Sequence, residues 1–98
     1  MKKIKGLDFV CTCFACPEQY DVYDYKEKIV GYVRLRYGNL TCKYPDIGGE
    51  LIYEASIGDG LCGRFESDKQ RMNHLNKIAV KIIKKMIQEK EVEEDEED

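Results

Sequence analysis

Apolar and polar residues alternate one for one along most of the chain as far as Ser56, and beyond Ser67 they recur at three and four. The first period belongs to strands and the second to a helix. Leu7, Phe9, Cys11 and Cys13 alternate with Asp8, Val10 and Thr12, which predicts a strand with the cysteines on its apolar face. Cys16-Pro17 ends it, because proline cannot donate to a ladder. Alternation resumes from Gln19 to Tyr25, with Tyr20 and Val22 on one side and Asp21, Tyr23 and Tyr25 on the other. After the polar turn Lys26-Glu27-Lys28 comes the clearest strand, Ile29 to Tyr37. Ile29, Gly31, Val33, Leu35 and Tyr37 line one face of it; Val30, Tyr32, Arg34 and Arg36 line the other.

Gly38-Asn39 predicts a tight hairpin, since both residues tolerate positive φ, and Leu40 to Tyr44 is the return strand. Pro45 to Gly49 reads as a longer turn, with proline fixing φ and two glycines free to adopt left-handed geometry. Leu51, Tyr53 and Ala55 alternate with Ile52, Glu54 and Ser56 in another strand. Gly58-Asp59-Gly60 breaks the pattern, and Leu61 to Phe65 is a short strand or an extended connection.

Ser67-Asp68-Lys69-Gln70 fits a capping box and marks a helix start. Met72, Leu75, Ala79, Ile82 and Met86 then form an apolar stripe that Ile78 and Ile83 widen. The remaining helix surface is largely basic, with Lys69, Arg71, Lys77, Lys81, Lys84, Lys85 and Lys90. An apolar stripe and a half-apolar sheet bury one another. The expected fold class is therefore α+β: an antiparallel β-meander with one long C-terminal amphipathic helix packed on one face.

Composition sets the scale. Ninety-eight residues make a single domain near the lower end of what folds alone. The formal net charge of −3 hides a polarity. Glu91, Glu93, Glu94, Asp95, Glu96, Glu97 and Asp98 are seven acids in a run without a base. Without them, 12 acids face 16 bases, a body of formal charge +4. So acidic a segment has too little apolar surface to offset chain entropy, so residues 1–90 are expected to form the domain and 91–98 a disordered acidic tail. No apolar run approaches the roughly 20 residues that cross a bilayer, and Asp8 interrupts the apolar stretch after the basic start. A cytoplasmic protein is expected, with reduced thiols rather than a disulfide framework for its five cysteines.

Chemistry is less plainly written. Cys13 and Cys16 have the spacing of a zinc knuckle, and Cys11 could add a third thiolate, with Cys42, Cys62 or His74 as a distant fourth ligand. Against this, Cys42 and Cys62 stand alone, and cysteines on an apolar strand face act as small hydrophobes. No cofactor is otherwise implied. Tyr32, Arg34 and Arg36 share one side of the central strand, a combination suited to a partner's carboxylates or phosphates. The glycine turns match no phosphate loop, and nothing in the sequence pairs a nucleophile with His74. No RNP-like aromatic motif is present, and the acidic tail opposes nucleic-acid binding.

Pro17 to Val22, Gly31 to Gly38, Tyr44-Pro45-Asp46, Gly48-Gly49-Glu50 and Tyr53-Glu54-Ala55 carry a resemblance across roughly Pro17 to Asp68. Together these strings resemble small uncharacterised proteins encoded by phages and prophages of Gram-positive bacteria. The resemblance implies a setting, the host cytoplasm, in which such proteins often inhibit host defence stoichiometrically, as anti-CRISPR proteins do. The expected function is a non-enzymatic protein-binding module, in that setting a phage inhibitor of a bacterial defence protein. Two alternatives stand beside it: a small structural zinc-binding domain, and a binder of a small nucleotide signal held by Arg34 and Arg36.

Overall fold

The structure is a computed structural model and describes residues 2–14, 17–58 and 63–97, with side chains described as far as Glu89. Six strands precede one helix: β1 (Lys2–Ile4), β2 (Leu7–Cys13), β3 (Glu18–Tyr23), β4 (Ile29–Arg36), β5 (Asn39–Tyr44), β6 (Glu50–Ser56) and α1 (Asp68–Glu97). The strands pair antiparallel in chain order, so the sheet is a simple meander with β1 and β6 at its edges. This is the α+β architecture expected from the sequence. No helix among the described residues is long and apolar enough to cross a membrane.

Three local details differ from the expectation. β1 escaped notice because its three residues bury only Ile4, too little to establish a period; Lys5 and Gly6, both at positive φ, turn it into β2. The β4–β5 turn sits one residue earlier than Gly38-Asn39: Tyr37 and Gly38 take positive φ, and Asn39 pairs with Arg36. That register places Val33 opposite Cys42 and Leu35 opposite Leu40, so all four apolar side chains share the buried face. Packing across the ladder outweighs the strain of a left-handed tyrosine. Tyr25 lies in a turn rather than a strand, because the Asp24 carboxylate accepts from the backbone N–H of Lys26 and of Lys28 and curls the chain there.

α1 covers one face of the sheet. Leu75, Ile78, Ala79 and Ile82 are buried against Phe9, Val22, Val33, Leu35, Leu40 and Cys42, while Met72, Ile83 and Met86 close the margins. Each large aliphatic buried this way stabilises by about 1.5–3 kcal/mol. The approach is close at Gly31: a Cβ there would stand 2.7 Å from Ile82 Cδ1, so the tip of Ile82 would have to shift. Bulges adjust the sheet to this load. One lies between β3 and β4 beside Val22 and Tyr23, where Val30 and Gly31 are both buried; another lies between β5 and β6 beside Cys42 and Lys43. In the β5–β6 turn Gly49 is obligatory, since a Cβ there would fall 2.0 Å from the Tyr44 carbonyl oxygen.

The helix start follows the capping box in part. Ser67 Oγ accepts from the Gln70 N–H at 3.1 Å, whereas the Gln70 side chain reaches past Ser67 and accepts from the Glu66 N–H at 2.8 Å. At the other end the sequence predicts a disordered tail over 91–98. The α1 backbone is helical to Glu97, and the side chains beyond Glu89 lie outside the described residues.

Candidate functional site

The face of the sheet away from α1 has no covering element among the described residues, and the ladder register writes its surface in rows. Val10, Asp21, Tyr32, Lys43 and Leu51 lie side by side across β2 to β6. Cys13, Gln19, Arg34, Thr41 and Glu54 form the next row, and Arg36, Asn39 and Ser56 a third. The three residues singled out on β4 therefore do share the open face. Tyr32 and Arg34 are half-buried among their neighbours and Arg36 is exposed. Tyr32 Oη donates to Gln19 Oε1, which fixes the phenol. Arg34 Nε is buried without a hydrogen-bond partner among the described residues, and the Arg36 guanidinium lies 5.1 Å from the Tyr37 ring centroid. Of the other tyrosines, Tyr23 shares this face, whereas Tyr20, Tyr44 and Tyr53 turn toward the helix. The centre of the face is basic, with Arg34, Arg36 and Lys43, and Asp21 and Glu54 flank it on the adjacent strands.

The cysteines are arranged otherwise than expected. A bulge leaves Thr12 unpaired, so that Cys11 stands opposite Tyr20 and Cys13 opposite Gln19. Cross-strand partners point to the same side of a sheet. Cys11 is thus on the helix side, beyond the helix's cover and exposed, while Cys13 is on the open side and half-buried. The two thiols do not share one face. Cys42 is fully buried, and burial pushes its thiol up to about 12, far from the thiolate a metal needs. Among the described residues no three His, Cys, Asp or Glu side chains converge to hold a metal ion. Cys16 and Cys62 lie outside the described residues.

What the sequence reading missed is a polar cluster under the N-terminal half of α1. Glu18 is 1% exposed and Arg71 8% exposed. Arg71 Nε donates to Glu18 Oε2 at 2.7 Å and its Nη2 to Oε1 at 3.2 Å, a bidentate pair. Tyr20 Oη also donates to Glu18, as does the Phe65 N–H at 3.3 Å, and Arg71 reaches Asp68 in addition. The Phe14 and Phe65 rings flank the guanidinium at 5.8 and 5.6 Å. Hydrogen bonding to Glu18 holds the Arg71 pKa well above its ordinary value, and burial followed by Glu18 raises that of Tyr20. Neither group can exchange a proton near neutrality, so the cluster fastens α1 to β3.

The sequence does contain its signal. Glu18 has the same parity as Tyr20 and Val22, and Arg71 stands four residues before Leu75 on the apolar stripe, where it reads as another surface base. One turn on, His74 is half-buried rather than a surface residue. Its Nδ1 is 2.8 Å from Tyr53 Oη and its ring stacks on Phe65; burial and Lys77 lower its pKa.

A cavity of about 650 Å³ opens between the β1–β2 and β3–β4 turns and residues 83–89 of α1. Leu7, Val30, Ile83 and Met86 floor it. Its acids are engaged already: Asp24 with backbone amides, and Glu89 with Tyr44 Oη at 2.8 Å. A scan against protein-family models finds no match to this chain, and searches of curated proteins and of solved structures find none either.

Proposed function

We propose that the protein is a non-enzymatic binding module whose partner is another protein, engaged by the open face of the sheet through Tyr32, Arg34 and Arg36. The observation that carries this reading is the contrast in how polar groups are used. Around Glu18 the acid, the base and the phenol saturate one another out of reach of solvent. On the open face a phenol and two guanidiniums are held on a central strand and directed outward. Ordering side chains already fixed by a paired strand costs little entropy on contact. A basic centre with a rigid aromatic fits an acidic patch on the partner. In the phage setting that the resemblance implies, the partner is a bacterial defence protein and the module its stoichiometric inhibitor. The acidic segment at the C-terminus contributes long-range attraction to basic parts of the partner outside that patch, screened over about 8–10 Å at ordinary salt.

The test uses the protein as bait in a bacterial lysate, followed by kinetics on the purified partner. Replacing Arg34 and Arg36 together with Ala is expected to speed dissociation, with stability unchanged within about 0.5 kcal/mol. Deleting residues 91–98 is expected to change association rate and salt dependence instead. If the deletion abolishes binding and the arginine pair proves neutral, recognition rests on the acidic segment and the open-face reading fails.

A further inference from the structure

The two edges of the sheet differ in how well they are protected. β1 is three residues long and carries Lys2 and Lys3, the short, charged edge that discourages pairing with another chain. β6 is seven residues, Glu-Leu-Ile-Tyr-Glu-Ala-Ser, without lysine or proline. It is last in the sheet order, so its outer backbone N–H and C=O groups have no strand partner among the described residues. The connection after it leads away. The Ile57 N–H bonds the Gly38 carbonyl and the Gly63 carbonyl accepts from the Glu18 N–H, so the described parts of that segment cross toward β3 and none of them pairs with the edge.

Beside this edge runs the basic flank of α1. Lys81, Lys84, Lys85 and Gln88 enclose a cavity of about 260 Å³ with Glu50, Leu51 and Ile52. Lys85 is committed to Glu50 at 2.6 Å. Lys81 and Lys84 are exposed and make no ion pair among the described residues, and Lys77 precedes them by one turn on the same flank. On the opposite side of the sheet, the side away from the helix, Leu51 is 49% exposed beside Lys43.

We propose that β6 accepts an extended segment of a partner protein by strand addition, and that this segment alternates acidic and apolar residues. Strand addition gives affinity through main-chain hydrogen bonds and specificity through alternate side chains. Successive side chains of the added strand point to opposite faces of the sheet. One set meets Lys81 and Lys84 and is acidic; the other lies beside Leu51 and is apolar. A second copy of this chain fits less well. Two β6 strands paired about a two-fold axis would set the Lys81 and Lys84 flanks of both helices on the same face of the joint sheet, like charge toward like. The edge is a separate surface from Tyr32, Arg34 and Arg36, and either could fail without the other.

The experiment titrates the whole chain with a capped peptide of alternating glutamate and valine as long as β6, reading amide NMR shifts and hydrogen exchange. Binding is expected to slow exchange of the outward β6 amides and to shift resonances of β6 and of Lys81 and Lys84. A peptide with lysine in place of glutamate should bind at least about tenfold more weakly, about 1.4 kcal/mol. Lys81→Glu with Lys84→Glu should reverse that preference; should this variant not fold, the two peptides against the native chain decide the matter. Methylating alternate peptide nitrogens should abolish binding on one register. Equal affinity for the two peptides, shifts confined to Tyr32, Arg34 and their partners on β3 and β5, or no β6 protection at millimolar peptide would each overturn the proposal. So would β6 amides already protected in a chain that sediments as a dimer, because the occupant would then be a second copy.

Discussion

On the helix side of the sheet, Arg71 spends its guanidinium on both oxygens of a buried carboxylate, and Tyr20 and the Phe65 amide complete that carboxylate's shell. On the open side, Arg34 and Arg36 stand on the adjacent strand with no acid bonded to either among the described residues. The helix and the sheet it covers thus use the same side chain in opposite ways: Arg71 of α1 is paired with Glu18 of β3, and Arg34 and Arg36 of β4 are not paired with an acid among the described residues. A buried guanidinium must be fully paired, because desolvating an unpaired charge costs far more than the pair returns. A guanidinium at a wet surface is free to wait for a partner. The charge of Arg71 is therefore architecture, whereas the guanidiniums of Arg34 and Arg36 are bonded to no acid among the described residues.

The sharpest way to break this contrast is to unpair the buried charge. Glu18→Ala leaves Arg71 buried without its carboxylate and is expected to cost about 3–5 kcal/mol in urea denaturation. Replacing Glu18 and Arg71 together with Met should cost clearly less than Glu18→Ala alone, because no orphan charge remains. If the double change costs more than the single one, the pair stabilises in its own right and is more than a tolerated burial.

Next in size is the apolar contact that the pair serves. Ile82 is fully buried against the sheet where Gly31 admits the helix, and Ile82→Ala is expected to cost about 2–5 kcal/mol. An unchanged denaturation midpoint would mean that α1 does not pack here.

The smallest effect sharpens the comparison by pH. His74 has a folded pKa below its unfolded value, first through burial and then through Lys77. The unfolded chain therefore binds the extra proton more readily, and stability should decline as pH falls through about 6.5, the ordinary histidine value. His74→Phe should flatten the slope in that window, and an unaltered profile between pH 7 and pH 5.5 would show that the imidazole is not held neutral by its surroundings.

Much of this was legible in the chain. The alternation of Leu7, Phe9, Tyr20, Val22, Val33 and Leu35 and the stripe of Leu75, Ala79 and Ile82 determine a meander with a helix on one face, because burial enforces a period locally. The same period places Tyr32, Arg34 and Arg36 together on one side of β4. Sequence could not decide the pairings that depend on a neighbour's register. A single bulge at Thr12 sends Cys11 and Cys13 to opposite faces, and spacing along one strand carries no trace of it. Glu18 and Arg71 lie 53 positions apart and look like ordinary surface charges until folding excludes water around both. Only the tertiary structure could make them a pair, since their attraction becomes strong only where the dielectric falls. That no further strand lies beside β6 among the described residues is likewise a property of strand order, which no local pattern records.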